Sequence, residues 1–429
     1  MISRRGFLKA TSIVPFLKTA PALGASNTKV PLLQTLTTKT TAQLIVLRRR
    51  GRQFKYSYDV PTARETIALK PVREFEYAGS EWSVDWLLAT GLTPGERYYF
   101  NVTENGTTLD RREFSSLDLA KPNPRIMIAS CMHDNRVLSQ KLMWRRVQKT
   151  KPDLMFWVGD CLYGDYKSDG SMAGLHNRHC QVRRQFEIFY APKLIPALAT
   201  WDQHDFGVDA TGGADFPFKK ERHEIFWMFF GSDHFNHPER MAHFSKGPGN
   251  SSALTAFGQN FMLMDDRTWR NKPGGGRHWG DEQEAWLYSY IKANQNTSWL
   301  MNGSQFFGEY RKLSESFERD QPQDFKRVLG ELAKLPAKVL FVSGDIHMSE
   351  VMRIEKEILG YESYELTSSS IHSFSFPGNE LLGKATRRIT YANWLNFFIV
   401  DLSREGAVTE LDLTSVGRFF NHFNLKLKI

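Results

Sequence analysis

Residues 339–350 read VLFVSGDIHMSE, an apolar run suited to a buried strand that stops at Gly344 and delivers an acid and an imidazole two positions apart. Extended chain alternates its side chains, so Asp345 and His347 are expected on one face. The layout recurs along the chain. LMFWVGD (154–160) ends on Asp160, ALATWDQHD (197–205) reaches Asp202 with His204 beyond, and RIMIAS (125–130) delivers Cys131 and then His133. In open α/β sheets functional groups gather at the carboxyl ends of strands. Close carboxylates repel one another unless a positive ion sits among them. Each acid taken singly reads as a turn or a helix cap, but four strand ends carrying Cys, Asp, Asp-x-His and Asp-x-His point to a metal site.

Outward from these strands the pattern is strand alternating with helix. Ser139–Lys149 reads as a helix with Ser139 as its N-cap and Leu142, Met143 and Val147 inward. Asp281–Glu284 reads as a capping box opening a helix that carries Trp286, Leu287, Tyr290 and Ile291 on one stripe. This alternation indicates an α/β domain with strands covered on both faces. Upstream, from Lys29 to Leu117, short alternating runs punctuated by turns indicate a β-sandwich. AQLIVLRRRGRQFKYSYDV (42–60) reads as a hairpin turning at Arg50-Gly51, and its basic run Arg48–Arg52 as the solvated tip. LTPGERY (92–98) resembles the corner of fibronectin type III domains, where a tyrosine hydroxyl, here that of Tyr98, pins the chain between two sheets. Lys121-Pro122-Asn123-Pro124 is a stiff linker. The expected division is a signal at 1–25, a fibronectin- or immunoglobulin-like β-sandwich at 27–120 and the α/β domain at 121–429.

The start of the chain has a basic stretch containing Arg4-Arg5, an apolar run interrupted by Lys18, and small residues from Thr19 to Ser26. That is the layout of an export signal, and Arg4-Arg5 before Phe7-Leu8-Lys9 resembles the twin-arginine class. The expectation is a periplasmic or secreted protein moved by the twin-arginine machinery. No other stretch offers the ~18 uncharged apolar residues of a membrane span, so no transmembrane anchor is expected. The formal charge of +9 falls to +5 without Arg4, Arg5, Lys9 and Lys18. That is mild for this length and gives no ground for a stable nucleic-acid complex. Three cysteines argue against a disulfide framework, although Cys161 and Cys180 remain a pair that could oxidise.

Ser130-Cys131, Pro152-Asp153-Leu154 through Gly159-Asp160-Cys161-Leu162-Tyr163, Trp201–Asp205 and Ser343–His347 resemble the successive motifs of the PhoD-like alkaline phosphatases. Gly280–Leu287 and Glu365–Ser373 add to the likeness, which spans about residues 30–425. The resemblance implies a metallophosphoesterase core, an α/β/β/α sandwich whose mouth holds Fe3+ and Ca2+. Carried over by motif, Cys131, Asp160, Tyr163 and His347 would bind iron, and Asp160, Asp202 and Asp345 would serve calcium. Phenolate and thiolate suit Fe(III), and carboxylates suit Ca2+. A metal-activated hydroxide would hydrolyse a phosphate monoester or a polyanionic phosphodiester, with His204 protonating the leaving alkoxide. The family pattern Trp-Asp-Asp-His-Glu is here Trp-Asp-Gln-His-Asp, with Gln203 and Asp205 replacing acids, and Asp209 is a candidate compensating ligand. Arg267 is a candidate phosphate clamp or an ion-pair partner of a neighbouring acid, and KPGGGR (272–277) a candidate lid. Two other classes fit parts of the pattern. One is a non-catalytic surface binding protein with a structural metal; the other is a non-haem iron oxygenase, which would need His204 or His133 as a second imidazole.

Overall fold

The computed structural model describes residues 29–208, 212–231, 237–308, 315–375, 378–381, 386–406 and 408–429. The export signal read in residues 1–25 and the candidate ligand Asp209 lie outside them. Among the described residues no helix is long and apolar enough to cross a membrane.

Eight strands build the N-terminal sandwich: β1 (Leu32–Thr35), β2 (Ala42–Arg49), β3 (Lys55–Val60), β4 (Glu65–Leu69), β5 (Pro71–Glu76), β6 (Trp82–Ala89), β7 (Arg97–Glu104) and β8 (Thr107–Ser115). They form two antiparallel sheets in the orders β1-β2-β6-β5 and β4-β3-β7-β8. The hairpin expected over 42–60 is therefore not one. β2 pairs with β1 and β6, β3 with β4 and β7, and the turn at Arg50-Gly51 crosses between sheets. Alternation and a turn signal cannot say which sheet a strand will join. The arginines of that turn are ion-paired, Arg48 with Asp85, Arg49 with Glu81, Arg50 with Glu76 and Arg52 with Glu104. The tyrosine corner is present: the Thr93 N–H donates to Tyr98 Oη at 2.7 Å.

The larger region stacks two sheets between helices. The six-stranded sheet runs β11 (Ala197–Thr200), β10 (Leu154–Val158), β9 (Arg125–Ala129), β20 (Asn396–Glu405), β21 (Val408–Gly417) and β22 (Asn421–Lys428). The eight-stranded sheet runs β12 (Phe244–Lys246), β13 (Ser252–Ala256), β14 (Gln259–Leu263), β15 (Thr297–Met301), β16 (Val339–Ser343), β18 (Ser363–Thr367), β17 (Ser349–Ile354) and β19 (Arg388–Ala392). Ile128, Phe156, Phe261, Trp299, Val342 and Phe398 interdigitate between the sheets. On the outer face of the first lie α1 (Val137–Thr150), α2 (Met172–Gln185) and α4 (Lys219–Phe230), preceded by the one-turn α3 (Gln203–Phe206). On the second lie α5 (Asp281–Ala293) and α6 (Pro322–Leu332). This is the expected α/β/β/α order.

The sandwich is fused to this body. Leu33, Ile45, Val84 and Trp86 share an apolar cluster with Met228 and Phe229 of α4, and the Trp86 indole N–H donates to the Met228 carbonyl at 2.9 Å. That explains why β2 is buried along all but its last residue instead of alternating.

Both expected helix caps fail. The first helix starts at Val137 behind Arg136, and the second starts at Asp281 behind Gly280, neither N-cap having a side-chain bond. The helices begin earlier than the polar residues suggest, so Ser139 and Asp281 sit inside the first turn. A capping box does occur in the short α3, with Asp202 at its N-cap and Asp205 accepting from the Asp202 N–H at 3.0 Å. Asp205 also accepts from the Leu162 N–H at 3.1 Å, so this residue braces two loops.

Candidate metal centre

Strand register brings the donors together. β9, β10 and β11 are parallel, with Trp157 opposite Ala129 and Val158 opposite Thr200. Two residues beyond those pairs stand Cys131, Asp160 and Asp202, side by side at the carboxyl ends. β16, in the other sheet, is parallel to β15 and β18 and brings Asp345 and His347 to the same rim. The two sheets touch through glycines. A Cβ on Gly159 would lie 2.6 Å from Asp202 Cβ and 2.8 Å from Gly303 Cα, and one on Gly344 would lie 2.6 Å from both Ser130 Cβ and the Val158 carbonyl. Glycine before the acid at both ends is therefore a packing requirement.

The alternation argument for Asp345 and His347 does not describe what happens. The strand ends at Ser343, and both residues have left-handed backbone, φ 64° and 55°. Cys131 and Asp160 share that conformation at φ 57° and 50°. Such φ values cost an ordinary residue about 1–3 kcal/mol and collect where function over-determines the chain. The turn splits the pair between two donor groups. Asp160, Asp202 and Asp345 place one oxygen each within 4.8 Å of one another, as do donor atoms of Cys131, Asp160 and His347. Asp160 belongs to both.

Neighbours of each donor are specific. Tyr163 Oη lies 3.0 Å from His347 Nε2 and 3.0 Å from Ser373 Oγ. Ser369 Oγ donates to Cys131 Sγ at 3.1 Å. Burial, with the Asp160 charge beside it, pushes the Cys131 thiol well above its ordinary value. Asp202 Oδ1 accepts from Arg267 Nε at 2.7 Å and from the Gln203 N–H at 2.7 Å, while Asp202 Oδ2 is buried with no hydrogen-bond partner. Burial drives the Asp202 carboxyl well above the carboxylate range, Arg267 opposes this, and Asp266 and Asp345 add to it. Gln203 Nε2 donates to Asp345 Oδ1 at 3.0 Å. The residues fit a cation: three carboxylates converge, one has an orphaned oxygen, and the second group adds a thiol and an imidazole.

His204 joins neither donor group. Its ring stacks on Tyr163 with centroids 4.0 Å apart, and its Nδ1 meets Asp165 Oδ1 at 2.7 Å. His133 also stays out; its Nδ1 accepts from the Asn135 N–H at 3.1 Å and its ring lies 4.3 Å from that of Tyr163. Burial lowers its pKa to about 4. With one imidazole in the donor groups of the described residues, the oxygenase triad does not assemble. Arg267 is fully buried and bound to Asp202, Glu315 and Asp266, as an ion-pair residue. The glycine loop is tied down by Arg277, which meets Asp281 and Glu284. Cys161 and Cys180 are free thiols. Sequence reasoning missed Asp165, Ser369 and Ser373 as individual contributors. Only the run Glu365–Ser373 carried a signal for the serines, and Asp165 carried none.

No protein-family model matches the chain, and no curated protein matches it. Among solved structures, one described as "Structure of PhoD" superposes with a TM-score of 0.68 at 15% identity, covering 92% of this chain and 88% of that one. The fold is that of PhoD. A glycosyl hydrolase family 2 member from Bacteroides cellulosilyticus aligns over 93% of this chain and 63% of its own at 7% identity, but its TM-score of 0.25 carries no argument. The PhoD likeness spans both the sandwich and the two-sheet body. At this identity it establishes architecture, and the chemistry must come from the residues themselves.

Proposed function

We propose that this chain is an exported, metal-dependent phosphoesterase acting on phosphate monoesters or diesters. The observation that carries the reading is the pair of donor groups sharing Asp160 at the rim of a PhoD fold. Cys131, Asp160, Tyr163 and His347 would hold Fe3+, and Asp160, Asp202 and Asp345 would hold Ca2+. Cations held there supply Lewis acidity, binding the phosphoryl group and lowering the pKa of a water. The chain does the rest. Ser369 and Ser373 orient Cys131 and Tyr163 by hydrogen bonds. Arg267 occupies one oxygen of Asp202 and leaves the other without a hydrogen-bond partner. Asp165 would accept from the His204 Nδ1–H, and the imidazolium form would give its Nε2 proton to the departing alkoxide. Stacking on Tyr163 holds that ring in plane. Arg4-Arg5 and the subdued apolar run support export by the twin-arginine route.

Metal analysis of the purified protein, together with turnover of a soluble monoester and diester, tests the reading. Iron, calcium and hydrolysis of either ester are expected. A phenolate–iron absorption band should also appear and vanish in Tyr163→Phe. Stoichiometric metal with no turnover would instead support a non-catalytic binding protein. Colourless, active protein holding zinc or manganese would remove the iron assignment alone.

A further inference from the structure

Leu138, Trp394, Phe419 and Phe420 are between 63% and 72% exposed. The two phenylalanines form the tip of the β21–β22 hairpin, closed by the Gly417 N–H donating to the Phe420 carbonyl at 2.9 Å. Hairpin tips ordinarily carry turn-forming polar residues and glycine. Trp394, Phe419 and Phe420 line a pocket of about 450 Å³ together with Arg136, Arg418 and His422. Each of the two guanidiniums lies over a ring, Arg136 above Phe374 and Arg418 above Phe419, both at 4.4 Å. Arg418 donates to Ser139 Oγ at 3.2 Å. Among the described residues neither arginine forms an ion pair with a carboxylate, whereas all four arginines of the 48–52 turn do.

Two like charges at one pocket, without acids, are favourable when they face an anion, and guanidinium suits phosphate. Leu138 lies outside the pocket lining, and the three aromatic side chains that line it stay more than half exposed. A deformable apolar phase can cover them. The pocket also adjoins the donor cluster. Ser375 lines it, and Ser373, which binds Tyr163, is two residues away, at most about 7 Å of chain.

We infer that this rim docks the chain on an anionic phospholipid bilayer. Arg136 and Arg418 take a headgroup phosphate in the pocket, while Leu138, Trp394, Phe419 and Phe420 enter the interface. The donor cluster, two residues along the chain from the pocket wall, then lies near the headgroup layer, and the formal charge of +5 left without Arg4, Arg5, Lys9 and Lys18 favours approach to a negative surface.

Co-sedimentation of the full chain with phosphatidylcholine vesicles, with and without phosphatidylglycerol, tests the inference. Binding is expected to the phosphatidylglycerol vesicles. It should weaken by about tenfold or more in the Phe419→Ser, Phe420→Ser double variant. The Arg136→Gln, Arg418→Gln double variant should lose the preference for phosphatidylglycerol. Trp394→Ser gives a second apolar variant, and unchanged melting temperatures establish that the variants fold. The inference is overturned by binding to neither vesicle, by equal binding of the wild type to both, or by binding that both apolar variants retain. Saturable binding of free glycerol phosphate with no vesicle binding also overturns it, making the pocket a soluble-anion site. No arm measures turnover, so failure here leaves the phosphoesterase reading intact.

Discussion

Asp202 and Asp265 are both buried, and Trp201 links them, preceding one in the chain and donating its indole N–H to the other at 2.8 Å. Their surroundings are opposite. Asp265 accepts from Trp201, from the N–H groups of Asn250, Arg267 and Thr268, and from the Thr268 hydroxyl, with His223 Nε2 3.5 Å away. Burial alone would push its carboxyl up, but His223 and the Thr268 donors outweigh it and hold the pKa at about 2. Asp202 lies on the other side, among Asp160 and Asp345, with one oxygen unsatisfied. Two nearby acids follow the Asp265 pattern, Asp320 paired with Arg270 and Glu315 with Arg267. Where the chain intends a buried acid to be structural it supplies donors. At the strand ends Arg267 and the Gln203 N–H serve one oxygen of Asp202 while the other is left among acids, an arrangement that a bound cation would complete.

The strongest test separates the two regions. Asp160→Asn keeps the shape and tolerates the left-handed backbone, but removes the charge shared by both donor groups. Turnover should fall by about 10³-fold or more, with loss of bound metal. The metal-free variant should melt no lower than metal-free wild type, because a repelling carboxylate is gone. Asp265→Asn should do the reverse. It leaves metal content measurable in the folded fraction but costs about 3–5 kcal/mol in denaturant unfolding, since an amide N–H would face groups that already donate. If both variants lose stability alike, the distinction between the regions fails.

Linkage sharpens it further. A carboxyl held near 2 in the folded state, against about 3.9 unfolded, contributes stability present above the unfolded value and lost as pH falls through the folded one. Wild type should therefore lose about 2 kcal/mol between pH 4 and pH 2 that Asp265→Asn does not lose. Parallel unfolding curves for the two proteins across that window would contradict the assignment.

What the sequence could reveal followed from the same distinction. Buried apolar runs ending in Gly-Asp were legible because strand ends and close-packed glycines leave local marks. Asp345 and His347 were placed at the site by an alternation that stops at Ser343; the turn that actually aims them depends on Gly344 meeting Ser130 and Val158 of the other sheet. Sheet membership of β2 and β3 was illegible for a similar reason, since pairing is decided by partners far away in sequence. The donors of Asp265 come from residues 201, 223, 250, 267 and 268, a set that no local pattern announces. Asp165 reaches His204 from a loop, and nothing in its neighbours distinguishes it from a turn residue.

The smallest effect concerns Gln203, which, after the Arg267–Asp202 pair, is a second place where the rim departs toward the structural pattern. Its amide donates to Asp345 Oδ1 at 3.0 Å, doing for Asp345 a little of what the N–H donors do for Asp265. Gln203→Glu would exchange that donor for a carboxylate about 3 Å from another. In metal-free protein the pair would hold a proton more tightly when folded than when unfolded. Stability would then be intact at low pH and lost as pH rises, amounting to about 1–2 kcal/mol at pH 8. Added Ca2+ should reverse the loss, because a fourth acid at the rim gives a hard cation another oxygen. The measurement is chemical unfolding at pH 5 and pH 8, with chelator and with Ca2+. A variant that is equally destabilised at both pH values and indifferent to Ca2+ would mean that Gln203 is only a packing residue, and that the rim's excess of acid ends at Asp160, Asp202 and Asp345.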